Sequence, residues 1–253
     1  MKKRRLFSLF LSFALLLPLF SLTSADAYED FTLDAKAGLL IEADTGEILY
    51  EKNAHQENFP ASLTKVMVAL LVFEAIDEGK IALTDSVTAT ESAFEGLSSD
   101  GSTANIVPGE TMTVEQLLNC MLIVSANEAC NILGETLYGS VDAFVARMNE
   151  RAAELGCEHT HFANATGLHN SQHYTTAWDL YLITREAMKH DKFMEICNSK
   201  SYTVPATNMT DKPRELHSTN FLISNWRARG YVYRDAQGIK TGSTPEAGYC
   251  LIS

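Results

Sequence analysis

Two short apolar runs, Ala37 to Ile41 and Glu47 to Tyr50, flank the polar Asp44-Thr45-Gly46. Asp and Gly suit a tight turn there, so the pattern predicts a β-hairpin. The period then changes. From Ser62 to Gly79, the residues Val66, Met67, Leu70, Leu71, Phe73 and Ala75 lie nearly all round a helix, which predicts a buried helix with Gly79 as its stop. Residues 85–200 read as mainly helical. Thr113 with Gln116 forms a capping box ahead of Leu117, Leu118, Met121 and Leu122. Ser140 caps a helix running to Leu155, which Gly156 ends, and Thr176 with Asp179 opens another from Ala177 to Lys189. Strand-like segments return at Ser201 to Pro205, Gly238 to Thr241 and Gly248 to Ile252. Strands, a long helical insertion, then strands again is the order of an α/β sheet domain with a helical subdomain inserted in it. No internal repeat or low-complexity linker interrupts it.

The first residues follow a different rule. Lys2, Lys3, Arg4 and Arg5 precede an almost wholly apolar Leu6 to Leu22, and Ala25-Asp26-Ala27 offers small residues for cleavage. This predicts a secretory signal over residues 1–27; Pro18 and the shortness of the run disfavour an uncleaved anchor. The folded part is then 28–253. With 253 residues, 46% hydrophobic and 21% charged, the chain can bury a substantial core, and disorder is excluded. Its net charge of −12 argues against nucleic acid as a partner. Removing four basic and one acidic side chain with the signal leaves 16 basic against 31 acidic, a net of −15. Five cysteines show no Cys-x-x-Cys pair or regular spacing, so buried free thiols are expected although export permits disulfides.

Three small motifs carry chemistry. In Ser62-Leu63-Thr64-Lys65, a serine and a lysine three apart share one helix face, and Lys65 could take the serine proton if burial or a second cation lowered its pKa. Ser125-Ala126-Asn127 places a second hydroxyl and an amide between apolar helical segments. Ser218-Thr219-Asn220 repeats that spacing, but it lies so near the third motif that little room is left for an intervening subdomain. The third motif is Lys240-Thr241-Gly242, where glycine lets a substrate backbone come close; Lys-[Ser/Thr]-Gly arises by chance only about 0.1 times in such a composition.

The extended strings around these motifs are Pro60-Ala-Ser-Leu-Thr-Lys-Val-Met67, Ser125-Ala-Asn-Glu-Ala129, His173-Tyr-Thr-Thr-Ala-Trp-Asp-Leu180 and Gly238-Ile-Lys-Thr-Gly-Ser-Thr-Pro-Glu-Ala-Gly-Tyr-Cys-Leu251. Over roughly residues 30–253 the chain resembles the penicillin-binding serine D-alanyl-D-alanine carboxypeptidases of the low-molecular-mass class, peptidase family S11. The resemblance implies a β-lactamase/transpeptidase-like α/β fold: an antiparallel sheet, flanking helices and an inserted helical subdomain over roughly 81–200. It implies Ser62, Lys65 and Ser125 as catalytic residues. Asn127, Lys240, Thr241, Gly242 and Ser243 would bind substrate, with the backbone N–H groups of Ser62 and Ser243 as the oxyanion hole. The implied substrate is the peptidoglycan stem peptide, with β-lactams as covalent inhibitors, no metal or other cofactor, and a site of action outside the cytoplasmic membrane. Glu128 stands where the family often has Asp, and Ser243 where it often has an aromatic residue or His. In the family, further strands and a terminal helix follow the Lys-Thr-Gly strand, so the resemblance also implies a C-terminally incomplete domain, with any membrane attachment supplied by a region beyond residue 253.

Three other readings compete. A class A serine β-lactamase would need a deacylating Glu after the second motif, and the corresponding stretch, Phe162-Ala-Asn-Ala-Thr-Gly-Leu168, has no carboxylate. His159, His161, His169 and His173 lack the spacing of a helical zinc pair and read as surface or capping residues. A penicillin-binding sensor that acylates without turnover would use the same Ser62. Tyr174 and Trp178 read as packing residues rather than a ligand-stacking pair.

Overall fold

The computed structural model describes residues 32–253; the export signal expected over 1–27 lies outside them. Residues 36–253 pack as one unit. The hairpin expected at its start is present as β1 (Gly38–Ile41) and β2 (Ile48–Lys52), with Gly46 in the left-handed conformation its turn requires.

A 3₁₀ turn, Ala61–Thr64, leads into α1 (Lys65–Asp77). The sequence pattern runs the helix from Ser62; in fact Ser62 lies in the tighter turn before it. Every residue of α1 from Lys65 to Phe73 is buried, which is why its apolar positions show no single face. Each large apolar side chain buried this way contributes roughly 1.5–3 kcal/mol. Gly79, at φ +70°, closes the helix: its N–H bonds to Ile76 O at 2.9 Å, and the Lys80 N–H to Ala75 O at 2.9 Å.

Around α1 stand α2 (Val114–Ile123), α3 (Asn127–Tyr138), α4 (Val141–Glu154), α5 (Ala177–Ala187) and α6 (Asp191–Cys197). The capping box of α2 forms as expected: Gln116 N donates to Thr113 Oγ1 at 3.2 Å, and Thr113 N donates to Gln116 Oε1 at 2.9 Å. Ser140 and Thr176 cap α4 and α5, but α5 ends at Ala187 rather than Lys189. A short ladder of β3 (Ser86–Thr88) and β4 (Thr111–Thr113) interrupts the helical stretch and is not legible in the pattern; each strand has only three residues.

The later strands are β5 (Ser201–Val204), β6 (Arg214–His217), β7 (Lys240–Thr244) and β8 (Gly248–Ile252). The fold is α/β with antiparallel pairing. Among the described residues, however, the strands form four separate two-stranded ladders rather than one continuous sheet. Tyr249 and Leu251 on β8 lie exposed. All five cysteines are free, four of them buried and Cys250 half-buried. Among the described residues no helix is long and apolar enough to cross a membrane.

Candidate active site

The three motifs converge. The 3₁₀ turn stacks residues three apart almost directly, and it sets Lys65 Nζ 3.0 Å from Ser62 Oγ. The Lys65 amine also reaches Asn127 Oδ1 at 2.9 Å and Thr166 O at 2.6 Å. Lys65 has no exposed surface. That burial depresses its pKa, while Cys130 and Glu128 nearby act the other way.

Ser125 lies between α2 and α3 and is held at φ +66°, a conformation costing a non-glycine residue about 1–2 kcal/mol. Lys240 Nζ donates to Ser125 Oγ at 3.1 Å and to Thr241 O at 2.8 Å. Lys240 is 1% exposed, and its pKa is pushed down to about 7 by burial first and by Lys65 second. Burial is the largest cause at both lysines, and the charge of Lys65 adds to it at Lys240.

β7 pairs with β8 in unbroken register, so Lys240 and Gly242 share a face while Thr241 points to the other. There the Thr241 hydroxyl meets Thr219 Oγ1 at 2.6 Å. The Ser218-Thr219-Asn220 copy, set aside as a second-motif candidate, thus reaches the site by another route. Gly242 abuts the nucleophile turn: a Cβ there would stand 2.9 Å from Ser62 N and 3.2 Å from Leu63 N. Gly242→Ala should push the strand off that turn and slow acylation by about tenfold or more, read as the rate of labelling by a fluorescent penicillin. Ser243, next along the strand, is exposed at its rim.

Several groups with no side-chain signature complete the site. The Phe162–Leu168 stretch presents the Thr166 carbonyl to Lys65, and Asn164 Oδ1 accepts from Thr166 N and Gly167 N to hold that loop. Gly167, at φ +84°, lies so close to the nucleophile turn that a Cβ would fall 1.9 Å from Ala61 O. On the other side, a Cβ on Gly101 would meet Asn127 Nδ2 at 2.7 Å. A cavity of about 280 Å³ opens here, lined by Leu97, Gly101, Ser102, Thr103 and Asn127 among others. Buried Glu128 ties this rim down, accepting from Thr103 Oγ1 at 2.7 Å and Ala104 N at 2.8 Å.

The four histidines do not converge: His159 faces Glu57, His161 the Gln172 carbonyl, His169 the ring of Phe59, and His173 the Thr64 hydroxyl. His173 is buried, contrary to the surface or capping role expected of it. Tyr174 and Trp178 have different ring partners, His161 for the first and His55 and Tyr181 for the second.

A buried lysine against a serine, a second serine on a second buried lysine, and a glycine strand across the Ser62 turn make an arrangement able to support serine acyl transfer. The model of the peptidase S11 family, D-alanyl-D-alanine carboxypeptidase, matches residues 23–253, and the chain belongs to this family. It is 40% identical to the D-alanyl-D-alanine carboxypeptidase DacF of Bacillus subtilis over 220 residues, covering 87% of this chain and 54% of that one. To the D-alanyl-D-alanine carboxypeptidase of Streptomyces sp. strain K15 it is 32% identical, covering 91% and 79%. The solved Streptomyces K15 DD-transpeptidase superposes with a TM-score of 0.78 at 32% identity, over 88% of this chain and 86% of that one. Streptococcus pneumoniae PBP3, a peptidoglycan synthesis regulatory factor, gives 0.76 at 31%, over 87% and 63%. The chain spans about half the length of DacF.

Proposed function

We propose that this chain is a serine-type D-Ala-D-Ala carboxypeptidase. It removes the terminal D-alanine of peptidoglycan stem pentapeptides through an acyl-enzyme on Ser62, and β-lactams acylate the same serine. The observation that carries this reading is the surroundings of Lys65, a wholly buried amine in contact with the Ser62 hydroxyl and two carbonyl oxygens. A neutral amine has two N–H donors and one lone pair. Asn127 Oδ1 and Thr166 O take the donors, which leaves the lone pair for the Ser62 proton.

Ser62 Oγ then attacks the carbonyl carbon of the penultimate D-alanine, and its proton passes to Lys65. The developing oxyanion lies between the N–H groups of Ser62 and Ser243. The C–N bond to the terminal D-alanine breaks as Ser125 gives its hydroxyl proton to the departing amine and takes in its place the proton that Lys65 received from Ser62. Lys240 and Thr241 hold the terminal carboxylate, a charge-assisted contact. Gly242 leaves room for the substrate backbone, and Asn127 Nδ2 donates to a substrate amide carbonyl. Water hydrolyses the ester and restores Ser62. No step calls for a metal. Residues 28–253 are the catalytic domain, with its helical subdomain over roughly 81–200, and residues 1–27 export it to the outer face of the cytoplasmic membrane, where the substrate lies.

The Phe162–Leu168 stretch brings a carbonyl and no carboxylate to Lys65, which argues for a long-lived penicilloyl ester rather than β-lactamase turnover. A D-Ala-D-Ala-terminated pentapeptide should lose one D-alanine, and peptide mapping after penicillin treatment should place one lasting adduct on Ser62. An adduct elsewhere would sink the assignment. A stable adduct with an uncut pentapeptide would mean a penicillin-binding sensor, and rapid release of hydrolysed penicillin a β-lactamase.

A further inference from the structure

The turn that carries Ser62 is strained at the residue before it. Ala61 adopts φ +47°, in the left-handed region that an alanine enters only at a cost. Its carbonyl is tied down by Thr64, whose Oγ1 donates to Ala61 O at 2.8 Å. Thr64 is in turn met by His173 Nε2 at 2.8 Å, across 109 residues of chain. The other ring nitrogen is also committed, since Ala163 N–H donates to His173 Nδ1 at 3.1 Å. An Nδ1 that accepts a backbone N–H carries no proton, so the neutral ring has its proton on Nε2 and donates it to Thr64. Thr64 then has its own hydroxyl proton free for Ala61. The chain of donors runs one way, from His173 through Thr64 to the Ala61 carbonyl. His173 is 2% exposed, and its surroundings (burial first, then His161, Lys65 and His169) hold its pKa at about 4, so the ring stays neutral wherever the enzyme works.

We propose that His173 is a positioning residue for Ser62: through Thr64 it holds the Ala61 carbonyl and with it the left-handed turn that aims the Ser62 hydroxyl and N–H at the substrate. This rests on the carboxypeptidase reading for its consequence but not for its geometry. Gly167 packs against the same turn, at Ala61 O. With both restraints the turn has no freedom to relax; without the hydrogen-bonded one, Ala61 can return to an ordinary backbone conformation and carry Ser62 away from Lys65 and Gly242.

Two measurements test it. The time course of fluorescent-penicillin labelling at several concentrations separates the non-covalent constant K from the acylation rate k2. Thr64→Val, which keeps the shape and removes the hydroxyl, should lower k2 by about 10–100-fold, with K changed by no more than about twofold. Thr64→Ser, which restores the hydroxyl, should recover k2. A Thr64→Val enzyme with unchanged k2, or a Thr64→Ser enzyme as slow as Thr64→Val, overturns the proposal, because a packing role would give one of those outcomes. Histidine ¹⁵N NMR of the wild-type chain gives the second reading. It should show one ring protonated only on Nε2 from pH 8 down to pH 5, and that resonance should shift in Thr64→Val. Titration of all seven rings in the ordinary histidine range overturns the network. A wild-type chain that takes no penicillin while its His173 stays locked contradicts the carboxypeptidase reading instead.

Discussion

Ser62→Ala will take no fluorescent penicillin, and Lys65→Met will label about 10²–10⁴-fold more slowly than the wild type, the range a positioned general base contributes. The first loss is complete because, among the described residues, Ser62 supplies the hydroxyl bonded to the Lys65 amine, whose other partners are carbonyl oxygens. The second is large because Lys65 is the group in hydrogen-bond contact with Ser62 Oγ that can accept its proton. Methionine fills the space of the lysine stem, so the helix start stays packed, but the Asn127 and Thr166 oxygens lose their donor. Lys65→Arg separates the two duties of the amine. A guanidinium can still donate to both oxygens yet holds its proton at any working pH, so it will be no faster than methionine. Labelling of Lys65→Arg near the wild-type rate would remove Lys65 as the base and leave it a scaffold.

The backbone at both serines explains why such a site stays open to substrate. Ala61 and Ser125 both lie at positive φ, and each costs about 1–2 kcal/mol that the surrounding bonds must offset. At Ser125 the offset comes from its flanks, Ala126 N to Cys120 O at 3.1 Å and Asn127 N to Ser102 O at 2.9 Å. At Ala61 it comes from Thr64. Strain sits where side chains must point into a cleft rather than pack along a helix.

Much of this was legible in the sequence because it was written in side chains. Ser62, Lys65, Ser125, Asn127 and Lys240 are polar groups in apolar or glycine-bearing surroundings; their spacing made them candidates, and the resemblance carried by the strings around them gave the candidates their expected roles. The helices announced themselves by caps: the Thr113–Gln116 box, Ser140 and Thr176 all form the bonds that their positions implied. What was hidden was written in the backbone or at long range. The Thr166 carbonyl could have come from any residue, 101 positions from Lys65. Gly167 and Gly101 matter through a missing Cβ, which a sequence shows only as one glycine among 14. Thr219 and His173 belong to the site through hydrogen bonds to Thr241 and Thr64, partners that only the folded chain supplies. The separate ladders escaped for a similar reason, since strand pattern gives a face and not a neighbour.

Lys240→Met will remove both the pH dependence of carboxylate binding and part of the pH dependence of stability. The folded pKa of Lys240, about 7, lies well below the roughly 10.4 of an unfolded lysine. Between those values the unfolded chain binds the extra proton, so stability rises with pH across that window and is weakest below it, where the buried amine must carry its charge. In Lys240→Met this part of the rise in Tm from about pH 7 to 10 will be absent. Binding has the opposite sign. Two buried lysines that repel each other share protons as a pair, and near neutrality the second proton is the disfavoured one. A substrate carboxylate arriving at Lys240 and Thr241 draws a proton to Lys240. Above pH 7 the free enzyme must take up a proton to bind a carboxylate ligand. Calorimetry of a D-Ala-D-Ala peptide binding to Ser62→Ala, in buffers of different ionisation enthalpy, will therefore show net proton uptake that grows from pH 7 to pH 9. The Ser62→Ala/Lys240→Met chain will show none. Uptake that survives the loss of Lys240 would assign the titration to another group.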